Sequence, residues 1–406
     1  MTTGFALPEH FMFGASTAAH QIEGDNTTSD WWTFETMPGS PLEEPSGRAC
    51  DSYRRWRDDL ALIVESGLNT YRFSIEWARI EPIEREFSEV AIAHYRRLVE
   101  ATVAAGIRPV LTLHHFTNPA WFTARGGWKA PDATRSFLRY VRQIKCVIDA
   151  GADAVITINE PNMVAIMSRV ISGEATLDNG LGGGLPIPDP VVRDRLIETH
   201  RATADLLRDQ HPGLPVGWSI ANQCVQSVPG GQERAEIYRE LVEDVFLRAA
   251  AGDDLIGVQS YTRTVFGPEG VVPQPGPRTL TGWEVYPEAL GEAVRHTRET
   301  LPTTPVLVTE NGIATGDDTQ RINYTRAALT GLALAMTDGI PVLGYLHWSL
   351  LDNYEWGRWT PTFGLATVDR GASFDRTAKP SLIWLGQQSR AGIFDLDLNR
   401  TESSAS

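Results

Sequence analysis

The chain has 406 residues, 36 Lys plus Arg against 51 Asp plus Glu, and a formal net charge of −15. Nucleic acid and anionic membrane both demand a basic surface, so neither is expected as the main partner, whereas a small neutral substrate is compatible. Hydrophobic residues at 42% and charged residues at 21% are close to the globular average, while 12 Trp are many and suggest flat apolar walls.

In chain order, a strand-like run at Met12–Ala15 precedes a helix over Asp51–Ser66. This helix opens on a capping aspartate, sets Tyr53, Trp56, Leu60 and Ile63 at helical spacing, and stops at Gly67. The alternation then repeats. Asn69–Ser74 is followed by a helix over Val90–Ala105, Pro109–Leu113 by Ala133–Ala150, Ala154–Ile158 by Val191–Gln210, and Pro215–Ile220 by Glu233–Ala250. Leu255–Gln259 precedes a helix over Pro287–Thr300, Pro305–Thr309 one over Ile322–Asp338, and Val342–His347 one over Ser381–Gln388. Gly67, Gly106, Gly151, Gly252 and Gly339 follow helices, as terminating glycines do.

Eight strands alternating with eight helices predict an α/β fold, a (β/α)8 TIM barrel, whose active site lies at the C-terminal ends of the strands. No linker divides the chain, so residues 1–398 are read as one catalytic barrel domain and 399–406 as a disordered tail. The glycine-rich stretch Asn179–Pro190 reads as a loop; no Gly-Lys-Ser/Thr and no strand-adjacent GxGxxG makes it a phosphate cradle.

Cys50, Cys146 and Cys224 are odd in number, widely spaced and in no CxxC pair. Neither a disulfide framework nor a zinc site is expected, and a reducing compartment fits. The N-terminus carries no basic segment leading into an apolar one, and no run approaches 18 apolar residues, so the expectation is a soluble cytoplasmic protein without membrane insertion. His114 beside His115 resembles a metal pair superficially. With no HExxH and no facing carboxylate, no metal and no other cofactor is expected.

Two strings carry the chemistry. TINEP (Thr157–Pro161) and TENG (Thr309–Gly312) each place a glutamate, Glu160 or Glu310, at the C-terminal end of a β-branched apolar run. The fourth and seventh strands face each other across an eight-stranded barrel. Their terminal carboxyls can therefore converge to about 5 to 5.5 Å, the separation that glycoside hydrolysis with retention requires.

Further motifs lie in the same order. FGASTAAHQIEG (Phe13–Gly24), YRFSIEWARI (Tyr71–Ile80), LTLHHFTNPAW (Leu111–Trp121) and HWSLLDNYEWGRW (His347–Trp359) join TINEP and TENG. On these motifs the chain resembles the glycoside hydrolase family 1 β-glycosidases over nearly its whole length. The resemblance implies that Glu160 is the acid/base and Glu310 the nucleophile. It implies that Gln21, His115, Asn159, Glu355 and Trp356 hydrogen-bond the hydroxyls of the sugar, and that Trp348 and Phe363 complete its site. Arg72 would hold Glu310 ionised, Tyr261 would donate to the same carboxylate, and Glu160 would carry a raised pKa.

The activity so implied is that of a retaining exo-β-glycosidase, foremost a β-glucosidase, with a small-molecule β-glycoside as its partner. A transglycosidase would use the same residues, and a sugar-binding barrel that has lost catalysis is the non-enzymatic alternative. Neither the oligomeric state nor the natural aglycone is legible. Two departures stand out: Gln259 where family members commonly have asparagine, and Phe116 where tryptophan is frequent. Short loops at Ala221–Glu233 and Thr262–Trp283, with Trp121, Phe122, Trp128, Phe266 and Trp283 placed near the mouth, predict an open site for a bulky, partly apolar aglycone.

Overall fold

The computed structural model describes residues 3–177 and 183–396. The stretch Asn179–Pro190 is therefore only partly within the described residues, and the tail 399–406 lies outside them. Eight parallel strands close into a barrel: β1 Met12–Ser16, β2 Thr70–Ser74, β3 Arg108–Thr112, β4 Ala154–Asn159, β5 Val216–Ala221, β6 Leu255–Gln259, β7 Val306–Glu310 and β8 Val342–Trp348. Each strand pairs with its neighbour in sequence, and β8 closes on β1. The (β/α)8 expectation holds, and the strand limits differ from the predicted ones by no more than one residue at either end.

Both faces of a barrel strand are covered, by the barrel interior on one side and helices on the other, and this is why the strands read as unbroken apolar runs. Inside, Met12, Val110, Ala154, Ile156, Leu255, Leu307 and Leu346 pack into one cluster that fills the barrel below the mouth. A far larger apolar layer joins the strands to the helices. Glycine is required where strands run closest: a Cβ on Gly257 would lie 2.5 Å from Ser219 Cβ and 2.9 Å from Thr309 Oγ1.

Several elements depart from expectation. Asp51 precedes the helix Ser52–Ser66 but does not cap it; it sits at φ 55°, and its carboxylate takes Arg48 and Arg54 instead. The helix predicted over Ala133–Ala150 breaks into Ala133–Gln143 and Lys145–Ile148 at Ile144, which leaves helical geometry while remaining fully buried. That over Glu233–Ala250 carries a π-helical turn at Glu240–Asp244. Two helices without a predicted counterpart, Asp30–Thr36 and Pro161–Ile171, follow β1 and β4 and help to build the mouth. The loops after β5 and β6 are not bare: they hold a small sheet of Val225–Ser227, Thr264–Gly267 and Gly270–Val271. At the other end Thr3–Ala6 pairs antiparallel with Ile393–Leu396, and Phe394 packs edge-on against Phe11 and Phe13. Among the described residues no helix is long and apolar enough to cross a membrane.

Candidate active site

Glu160 and Glu310 stand at the ends of β4 and β7, the two strands whose pairing slips register just before them. The slip lies between Ile156 and Asn159 against β5, and between Val308 and Glu310 against β6. Such irregularities re-aim side chains at a barrel rim. Glu160 is itself at φ 43°, ψ 61°, the left-handed region that non-glycine residues rarely occupy. Its N–H donates to the Ser219 carbonyl at 2.8 Å, and Pro161 starts the next helix directly behind it.

The two carboxyls have opposite surroundings. Glu310 is 4% exposed; Arg72 Nη1 donates to its Oε1 at 2.7 Å and the Tyr261 hydroxyl to its Oε2 at 2.7 Å. No side chain among the described residues donates to the Glu160 carboxyl, which opens to the mouth. Burial raises both pKa values. On Glu310 the Arg72 charge and the two donors oppose that rise, whereas on Glu160 the Glu310 charge adds to it and lifts the group well above the carboxylate range. A single proton shared by the pair therefore resides on Glu160. Burial and the Glu310 charge hold the Tyr261 phenol well above its usual range, so it stays a donor.

Arg72, fully buried on β2, ties the two sides together. Its Nη2 donates to Asn159 Oδ1 at 2.5 Å and its Nε to Thr112 Oγ1 at 3.0 Å. Asn159 Oδ1 also accepts from Gln259 Nε2 at 2.8 Å and Ser219 Oγ at 3.1 Å, so the oxygen is saturated. This leaves Nδ2, 3.4 Å from His115 Nε2, as the group free to meet a ligand. The methylene that distinguishes Gln259 from asparagine is spent on reaching Asn159, and Tyr261 keeps its bond to Glu310. Burial, with Arg72 nearby, keeps His115 neutral. His114 turns away to Asn118 and packs edge-on to Trp128.

The remaining predicted site residues gather around these. Gln21 is buried, with Nε2 bonded to Asn353 Oδ1 and the Tyr354 carbonyl while Oε1 has no partner. Trp348 Nε1 donates to Glu355 Oε1 at 3.2 Å, and burial pushes Glu355 up to about 8. Phe363 packs with Trp348, Ala18 and Ala314. Trp356, at φ 51°, lies nearly parallel to His115 with centroids 6.3 Å apart.

Three of the five aromatics predicted at the mouth are elsewhere. Phe122 and Trp128 pack around Trp77, and Phe266 closes a satellite core with Ile166 and Tyr238; all three are almost wholly buried. Trp121 stands edge-on to Trp77 and donates to the Glu81 carbonyl. Trp283, 41% exposed, packs against Tyr261 and Phe363. Ser219, Thr112, Asn353 and Asn311 are supports that sequence reasoning passes over. The usable signal was a polar residue inside an apolar strand run, as with Thr112 and Ser219; Asn311 bonds the Ser260 carbonyl and anchors the turn after Glu310.

A family model described as glycosyl hydrolase family 1 matches residues 4–239 and 256–391. The chain is 30% identical to a β-glucosidase from Agrobacterium sp., covering 94% of this chain and 95% of that one. It is 27% identical to β-glucosidase A of Thermotoga maritima over 93% and 96% of the two. Among solved structures, β-glycosidase BGL167 superposes with a TM-score of 0.87 at 40% identity, covering 95% of this chain and 97% of that chain.

Proposed function

Given that the chain belongs to glycosyl hydrolase family 1, and is thus a glycoside hydrolase, we propose that it is a retaining exo-β-glucosidase working by double displacement. The observation that carries this reading is the asymmetry of the two carboxyls: Glu310 is gripped by a buried arginine and a phenol, and Glu160 by no side-chain donor among the described residues. Glu310, ionised, attacks the anomeric carbon as Glu160 gives its proton to the leaving oxygen. Forming the glycosyl ester removes the Glu310 charge, which lowers the Glu160 pKa and lets it take a proton from the attacking water. Asn159 Nδ2 grips the 2-hydroxyl, Glu355 and Gln21 Oε1 accept from further hydroxyls, and Trp348 floors the sugar. The names of the relatives, β-glucosidases, support the glycone.

The test is azide rescue with an aryl β-glucoside. Glu310→Gly loses hydrolysis and yields the α-glycosyl azide, whereas Glu160→Ala fails chiefly on poor leaving groups and yields the β-azide. The opposite stereochemistry reverses the assignment. An apolar aglycone is part of the proposal but rests on one side chain, Trp283. Trp283→Ala is expected to lower kcat/KM for a hydrophobic aryl glucoside more than for cellobiose; an equal loss on both removes that part.

A further inference from the structure

Behind the proposed sugar site lies a buried polar chain that the reaction itself does not use. His20, on the helix Ala19–Glu23, is 1% exposed, and its ring runs nearly parallel to the neighbouring Trp356 indole, at a centroid distance of 5.8 Å and an interplanar angle of 6°. His115 is also nearly parallel to the indole, with centroids 6.3 Å apart, and to Trp348, at 5.8 Å. His20, Trp356, His115 and Trp348 are thus near-parallel neighbours, with Trp31 and Phe116 edge-on to Trp356 at 5.0 and 5.1 Å. Trp356 needs this support, because its backbone sits at φ 51°, a conformation that costs a bulky residue and persists only where its surroundings over-determine it.

The imidazole orientation is fixed from two elements. Asn26 Nδ2 lies 3.0 Å from His20 Nδ1, and Glu35 Oε2, from the helix Asp30–Thr36, lies 3.6 Å from His20 Nε2, with both side chains fully enclosed. A carboxylate facing Nε2 calls for a proton there, so Nδ1 accepts from Asn26 and the tautomer is set. Glu35 is held in turn by Ser46 Oγ, which donates to Oε1 at 2.5 Å. Among the described residues Trp356 Nε1 has no hydrogen-bond partner, so this donor is open to a ligand.

We propose that His20, oriented by Glu35 and Asn26, is a positioning residue that sets the Trp356 indole for recognition of the sugar. This rests on the reading of the mouth as the glycone site. His20 touches no substrate and acts through Trp356, so its effect belongs to ground-state and transition-state binding rather than to proton transfer.

A double-mutant cycle on an aryl β-glucoside tests it. His20→Ala is expected to lower kcat/KM about tenfold or more, mainly through KM, and His20→Phe combined with Glu35→Gln, which keeps a ring without burying an unpaired carboxylate, is expected to recover most of that loss. Once Trp356 is replaced by alanine, adding His20→Ala is expected to cost less than about twofold. Losses that multiply independently of Trp356, or a ring-keeping variant no better than His20→Ala, overturn the proposal. Wild-type inactivity on every aryl β-glycoside would instead remove the glycosidase reading, so the two failures are separable. If His20→Ala does not fold, the ring-keeping variant alone decides: wild-type-like KM supports ring positioning, and a tenfold rise in KM overturns it.

Discussion

Replacing Arg72 by methionine is the most informative perturbation. The guanidinium is fully buried and pairs at 2.7 Å with a carboxylate whose side chain is 6% exposed. With charge centres about 4 Å apart and an effective dielectric of about 20, the attraction is roughly 4 kcal/mol. The sign follows from the direction: the positive charge favours the ionised form, so losing it raises the pKa of an acid already lifted by burial. The acidic limb of kcat/KM against pH, which reports ionisation of the nucleophile in the free enzyme, therefore moves to higher pH. The same variant strips a donor from Asn159 Oδ1, and activity at neutral pH is expected to fall about 100-fold or more. The assay is a pH series with an aryl β-glucoside for wild type, Arg72→Met and Arg72→Lys. The lysine keeps the charge but reaches fewer of the acceptors, so it is expected to preserve the limb better than it preserves the rate. An Arg72→Met limb that coincides with wild type, with activity within about tenfold, refutes the reasoning.

Three further outcomes follow. Gln259→Asn shortens the arm that reaches Asn159 Oδ1 at 2.8 Å; kcat/KM on a glucoside is expected to drop about three- to tenfold with little change on the 2-deoxyglucoside, and equal losses on both would place Gln259 outside the 2-hydroxyl contact. An aryl β-glucoside 6-phosphate is expected to be cleaved far more slowly than the parent glucoside, because Glu355 gives the sugar site a carboxyl group that repels a phosphate; with Glu355 pushed up to about 8, the discrimination is expected to sharpen as pH rises and the carboxylate ionises, and equal cleavage across that range contradicts the argument. Glu76 is buried at the end of the β2 segment, and burial pushes it up to about 8. Its folded-state pKa exceeds the unfolded value, so the stability it contributes is complete below about pH 4.5 and is lost as pH rises toward about 8; the Tm of Glu76→Gln relative to wild type is expected to rise from pH 5 to pH 8, and a constant difference would exclude this linkage.

The order of the amino acids is enough to specify the strand and helix alternation, because a strand covered on both faces must be apolar throughout, and that pattern survives any tertiary context. It also determined which glutamates end strands, since TINEP and TENG interrupt apolar runs where a barrel rim must fall. Periodicity carried no information about what happens past those ends. The register slips before Glu160 and Glu310, the left-handed turns at Glu160 and Trp356, and the saturation of Asn159 Oδ1 by three donors from other strands depend on closure of the barrel. The aromatics make the same point: Trp128 and Phe266 lie in loops that read as rim, yet their rings turn into the outer core because local helices and a small sheet offer apolar surface there. Composition decides that such side chains are buried, and only the packing of distant segments decides against what.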